Sequence, residues 1–195
     1  RKLKDGSKVM IEKPKKEEKP KKEEHDDEEE AKPKEVKYEF PKTDFNLDAF
    51  KTLFVNEPDK KKAFEFLWKN LDLNALSIWK ITYDKLPTEC KKVIQTKNLM
   101  QGFMDRAELS RKHAFGSLGV YGDEPELDIY GVWLWKGVDI LAPLKEHQQY
   151  DVFKYAKLDT TKEEDRKLVE DYWTNTDPEG PKVEGRTVQI MKFFK

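Results

Sequence analysis

Over residues 46–68 the apolar positions repeat at helical spacing. Leu47, Phe50 and Phe54 fall on one face of a helix that Asn46 caps, and Ala63, Phe64, Leu67 and Trp68 on the face of a second that Asp59 caps. Asn56-Glu57-Pro58-Asp59 separates the two. Over residues 77–84 the period shortens to two. Ile78, Lys80 and Thr82 alternate with Trp79, Ile81 and Tyr83, which predicts a half-buried strand closed by Leu86-Pro87. Helical spacing returns at Leu99, Phe103, Met104 and Ala107, a core stripe on a helix beginning at Asn98 with Arg106 facing out.

Beyond Ala114 the pattern is that of a sheet. Residues 115–121 and 128–136 are apolar runs joined by Gly122-Asp123-Glu124-Pro125-Glu126, which reads as a long-looped hairpin. Within Gly131-Val132-Trp133-Leu134-Trp135-Lys136-Gly137 both tryptophans lie on one side of the strand and Val132 and Leu134 on the other. Both sides are apolar, so both are covered, by helices or by a partner. Trp133 and Trp135 are then either core or part of an interaction surface. Lys136-Gly137 turns into an extended segment at 138–141 that Pro143 stops, and 150–158 forms a further strand. Thr160 with Glu163, or Thr161 with Glu164, has capping-box spacing ahead of a helix carrying Leu168, Val169, Tyr172 and Trp173. After an irregular stretch through Pro178, Gly180, Pro181 and Gly185 comes the last segment, 187–194. Helices come first and strands cluster in the middle without regular alternation. The predicted class is α+β: a single domain with a central antiparallel sheet flanked by helices.

Ahead of this domain the pattern disappears. All 23 aromatic residues stand at Tyr38 or later. The preceding stretch runs through Lys13-Pro14-Lys15-Lys16, Glu17-Glu18-Lys19-Pro20 and an acidic block at 23–30 broken only by His25. Such a segment cannot bury enough surface to offset its backbone entropy. Pro14, Pro20 and Pro33 and the like-charge blocks favour extension, so residues 1–37 are expected to form a disordered Lys/Glu/Pro-rich linker and 38–195 the folded domain. The linker's lysines also suit a nucleic-acid arm, although the acidic block competes for them and no aromatic there offers stacking.

A domain of this size buries roughly 70% of its unfolded surface, enough for a core without staples. A formal net charge of −1 leaves no global field to attract nucleic acid or anionic lipid. The single cysteine, Cys90, forms no internal disulfide, which fits a reducing, cytoplasmic setting. No apolar run approaches the roughly 18 residues of a membrane span, and no signal-peptide pattern opens the chain. The chain begins at Arg1, as a fragment of a longer protein would.

The chemical inventory is thin. His113, His147 and Cys90 are not within metal-ligand spacing of one another. Cys90 and His113 would supply a nucleophile and a base if the fold joined them, whereas a small buried hydrophobe is the plainer reading of Cys90. Gly116-Ser117-Leu118-Gly119 lies in a strand and lacks the lysine and hydroxyl of a phosphate loop, so its glycines read as sites of close backbone approach. Asp123, Glu124, Glu126 and Asp128 lack the ligand order of a calcium loop and read as a solvated acidic loop. No catalytic, cofactor or metal site is predicted, and an independent enzyme is the least favoured class. Arg106, Arg111 and Lys112 form a small basic cluster near the third helix, either solvated or paired with carboxylates of the linker or a partner.

Several of these segments, taken in order, resemble the conserved C-terminal domain of the gamma subunit of eukaryotic translation elongation factor 1. They are Phe40-Pro41-Lys42-Thr43, Asp48-Ala49-Phe50-Lys51, Phe66-Leu67-Trp68 and Ser77-Ile78-Trp79, then residues 98–106 (NLMQGFMDR) and 111–117 (RKHAFGS), and finally Gly131-Val132-Trp133, Lys136-Gly137 and Lys157-Leu158-Asp159. The resemblance covers nearly all of 38–195, and a charged linker ahead of the domain is similar to that family's layout. It implies a non-catalytic scaffold within the guanine-nucleotide-exchange complex that reloads the aminoacyl-tRNA-delivering GTPase with GTP. It also implies partners among the exchange-factor and GTPase subunits, reached mainly through a glutathione-transferase-like N-terminal part that this chain does not contain. Two other readings remain beside it. One is an adaptor that binds proteins outside translation through the Trp133/Trp135 face. The other is a weak RNA or ribosome contact through the linker lysines and Arg106, Arg111 and Lys112.

Overall fold

The Asn46 side chain accepts the Ala49 N–H and opens α1 (Leu47–Asn56), and Asp59 accepts the Lys61 N–H and opens α2 (Lys60–Asn70). Both lie in the computed structural model, which describes residues 37–195. There follow β1 (Leu76–Tyr83), α3 (Val93–Arg106), a 3-10 turn (Glu108–His113), β2 (Ala114–Asp123) and β3 (Glu126–Lys136). A short α4 (Ala142–Lys145), a second 3-10 turn (Tyr150–Val152), β4 (Phe153–Lys157), α5 (Glu163–Thr174) and β5 (Val188–Phe194) complete the chain. The strands form one five-stranded sheet in the order β4-β1-β3-β2-β5, antiparallel throughout. The fold is the α+β class that the periodicity predicts. The linker expected over residues 1–37 lies outside the described residues except for Lys37. Among the described residues no helix is long and apolar enough to cross a membrane.

Strand β3 is the centre of the sheet and feeds a core on each face. Val132 and Leu134 join Phe50, Phe54, Phe115 and Trp173 under α1, α2 and α5. Trp133 and Trp135 join Trp79, Phe103 and Phe194 under α3 and α4. Both faces are therefore covered from within the chain. Each of the five indole N–H groups has an acceptor: Glu170 for Trp68, Ser77 for Trp79, and the carbonyls of Ser117, Asp139 and Val132 for Trp133, Trp135 and Trp173. Buried indoles satisfied in this way add apolar area without an orphaned donor.

The structure departs from the sequence pattern at five places, each for an identifiable reason. Helix α3 begins at Val93 rather than Asn98. Lys92 occupies its N-cap without a side-chain bond, and the Glu124 carboxylate accepts the Val93 N–H at 2.7 Å instead. An acceptor from the distant β2–β3 turn replaces the local cap, and its charge suits the positive helix end. The hairpin is tight rather than long-looped, because the ladder continues to the Asp123–Glu126 pair and only Glu124 and Pro125 turn. The charged residues that resemble a solvated loop are paired with lysines, Asp128 and Glu126 from strand β3 and Glu124 from the turn: Lys85 with Asp128 at 2.9 Å, Lys91 with Glu126 at 2.7 Å and Lys92 with Glu124 at 3.3 Å.

Residues 138–141 form no strand. They lead into α4, where Pro143 sits in the first turn, a position with no N–H to lose. The strand expected at 150–158 is shortened to β4 by the 3-10 turn before it. Neither threonine caps α5. Lys162 is its N-cap, and Thr161 instead gives both its N–H and its hydroxyl to Asp159.

Candidate interaction surface

Trp133 and Trp135 are both 0% exposed, so they are core and the adaptor reading loses the surface it requires. Trp133 stacks on Phe194 with ring centroids 4.4 Å apart, and Trp135 stacks on Trp79 at 5.4 Å. Arg106, Arg111 and Lys112 are exposed, as expected, but they engage different elements. Arg106 closes α3 and donates to Gln149 Oε1 at 2.9 Å. Arg111 lies on the 3-10 turn, where its guanidinium faces the Phe194 ring at 5.5 Å and pairs with Glu108 at 2.9 Å.

Around Arg111 and Lys112 the fold collects groups that are remote in sequence. Lys51 of α1 donates from Nζ to the Arg111 carbonyl at 2.7 Å. The β2–β3 ladder pairs Ala114 with Trp135, so the next residues outward are His113 and Lys136. The His113 ring lies 4.5 Å from Phe40 and 6.2 Å from Tyr38 between centroids, and its Nδ1 is buried without a partner. Burial, and then Lys136, Lys51 and Lys112, hold the His113 pKa below that of a free imidazole, while Asp48 opposes them. Burial also lowers the Lys51 pKa, with Lys136 and Arg111 adding to it against Asp48. Sequence spacing marks only Arg111 and Lys112. It misses Lys51, Lys136, His113 and the flanking rings, because four separate segments supply them.

The remaining reactive groups are occupied. The Cys90 thiol is buried and its pKa is pushed up by that burial, the opposite of an activated nucleophile. Its polar neighbours are Thr96, Lys85, Glu89 and Lys91, whereas those of His113 are Lys136, Lys51, Lys112 and Asp48, so the two do not form a dyad. Glu184, at φ +46° ahead of Gly185 at +75°, occupies a two-residue turn between Val183 and Arg186. Its carboxylate accepts from Lys80 and from the Tyr172 hydroxyl, and the Lys80 ammonium sits 5.0 Å from the Tyr130 ring centroid. A groove of about 560 Å3 borders α2 and α5, where Trp68 donates to Glu170 and Arg166 covers its ring at 5.4 Å. Glu163, Glu170 and Asp171 line it together with Arg166 and Lys167, so it presents both signs of charge.

His147 gives a pH-dependent stability. Its Nε2 lies 3.0 Å from the Phe103 carbonyl and its Nδ1 accepts the Gln149 N–H at 2.9 Å, which fixes the neutral tautomer. A proton on Nδ1 would face that N–H. Burial, the largest cause, and the Arg106 charge lower the His147 pKa, while the Phe103 carbonyl raises it. Between the folded and unfolded pKa values the unfolded chain binds more protons, so stability is present above the unfolded value of about 6.5 and is lost as pH falls below it. The urea midpoint should drop between about pH 7.5 and about pH 5.5. The drop should shrink in His147→Gln, with His113 supplying the remainder. A midpoint that stays level or rises on acidification contradicts this account.

The geometry defines an α+β domain whose exposed chemistry is a basic, aromatic-flanked patch, with its reactive side chains engaged in packing. The family profile described as elongation factor 1 gamma, conserved domain, matches residues 32–139, more than half of the 195-residue chain. The chain is 36% identical over 175 residues to elongation factor 1-gamma of Artemia salina, covering 87% of this chain and 40% of that protein. It is 37% identical over 146 residues to the Drosophila melanogaster protein of the same name, covering 73% and 33%. It is 31% identical over 164 residues to that of Schizosaccharomyces pombe, covering 84% and 39%. The chain belongs to the elongation factor 1-gamma family. It spans about a third to two-fifths of the length of these relatives.

Proposed function

We propose that this chain is a non-catalytic structural domain of the translation elongation factor 1 exchange complex. In this reading it works in the cytoplasm and supports GTP reloading of the aminoacyl-tRNA-delivering GTPase by contributing to the assembly. The observation that carries the proposal is the family match over residues 32–139. It is joined by a sheet with both faces sealed and by the burial of Cys90 and His147, the latter hydrogen-bonded through both ring nitrogens. Tethering such a domain to the other subunits raises their effective concentration around the GTPase.

The test measures release of a fluorescent guanine nucleotide from the purified GTPase subunit and retention of the chain on each of the other subunits, immobilised in turn. With the chain alone, release should stay at the buffer rate. With the other subunits immobilised, the chain should be retained on at least one of them at physiological salt. Release above buffer by the chain alone would overturn the non-catalytic assignment, and failure to be retained on any subunit would overturn the structural one.

A further inference from the structure

We propose that the patch formed by Lys51, Arg111, Lys112 and Lys136 around His113, with Tyr38 and Phe40 beside it, binds single-stranded RNA. The proposal does not rest on the assembly role above. Its first support is convergence of charge. Three elements bring four cations together, through the Lys51–Arg111 carbonyl bond of 2.7 Å and the outward continuation of the ladder from Ala114–Trp135 to His113 and Lys136. Among the described residues only two carboxylates pair with them, Asp48 at 4.0 Å from Lys51 and Glu108 at 2.9 Å from Arg111. Among the described residues Lys112 and Lys136 have no ion pair. Gathering like charges works against the folded state, so stability does not account for the patch, whereas a polyanion that displaces counterions does.

The second support is the aromatic content. His113, Phe40 and Tyr38 place three rings beside the cations, with centroids 4.5 and 6.2 Å from the imidazole. Tyr38 and Phe40 are only partly buried, and the Tyr38 hydroxyl reaches Glu146 at 3.1 Å. An acidic peptide would use the cations and have little use for the rings. Single-stranded RNA uses both, its phosphates meeting the lysines and its unstacked bases lying on ring faces. A duplex, whose bases are already stacked, would leave the rings idle.

The experiment titrates the full chain into a dye-labelled oligouridylate of about a dozen nucleotides, reading anisotropy across a salt series. Lys112→Glu/Lys136→Glu should weaken binding by at least about tenfold and flatten the log–log salt slope by about one to two. A control with the same charge change on α2, Lys61→Glu/Lys69→Glu, should lose about twofold at most. Tyr38→Ala should weaken binding several-fold and leave the slope unchanged, because stacking releases no counterions. Tyr38 bonds only a surface carboxylate, so this variant keeps the proposal testable if the double variant fails to fold. The proposal is overturned if the patch variant binds as the parent does, or if the α2 control loses as much. It is also overturned if polyglutamate displaces the RNA at equal charge while Tyr38→Ala has no effect, which would assign the patch to an acidic protein partner.

Discussion

Gly131→Ala is expected to destabilise the domain by about 3 kcal/mol or more, although it adds a single methyl group. A Cβ at this position would lie 2.1 Å from the Ser117 carbonyl oxygen, 2.8 Å from Leu118 Cδ1 and 3.1 Å from Leu118 Cα. Two of these three atoms are backbone and cannot rotate away. Nor can β3 shift to make room, because its neighbours hold it on both sides: Gly131 pairs with Ile81 of β1 and with Leu118 of β2. Relief requires breaking the β2–β3 ladder at its middle. Gly102→Ala is the matched control. Its Cβ would meet only the end of the Arg106 side chain, at an ordinary 3.5 Å, inside helix α3. Alanine is the better helix former there, so that variant should be neutral or more stable by about 0.5–1 kcal/mol. Urea unfolding of both variants decides the point. Equal midpoints would mean that the strands can separate at Gly131 at little cost.

The parts of the fold that were legible in the sequence are those whose causes are local. Asn46 and Asp59 cap helices only a few residues away, and the two apolar sides of β3 announce that both faces of the sheet are covered. What was not legible depends on residues far along the chain. The start of α3 is set by Glu124, 31 residues beyond Val93, and the sequence alone offers Asn98 as the better cap. The tight hairpin is concealed because lysines at 85, 91 and 92 neutralise its acidic residues, which in isolation have the composition of a loop. The basic patch follows the same rule. Arg111 and Lys112 are visible as neighbours in sequence, but Lys51 joins them through a carbonyl of the 3-10 turn and Lys136 through the register of two strands. Arg106, which sequence proximity places with them, is instead drawn to Gln149.

Trp133→Ala should remove about 3–5 kcal/mol, the range for deleting a fully buried large aromatic side chain. The indole is 0% exposed, stacks on Phe194 at 4.4 Å, lies 6.1 Å from the Phe103 ring and donates to the Ser117 carbonyl at 3.1 Å. A Cβ at Gly116 would come within 2.5 Å of its Cδ1, so the surrounding backbone is already shaped to the ring and cannot collapse far into the space it leaves. Domains of this kind have total stabilities of about 5–15 kcal/mol, so the loss is a large share of the whole. Trp133→Phe retains much of the ring contact but loses the N–H donor, and should cost about 1–3 kcal/mol. The pair of variants separates the two meanings that two closely spaced tryptophans on a strand can carry. If the face were a docking surface, Trp133→Ala would leave the unfolding midpoint within about 0.5 kcal/mol of the parent while abolishing partner retention. The buried geometry requires the reverse order: stability falls first, and Trp133→Phe, where it remains folded, retains its partners.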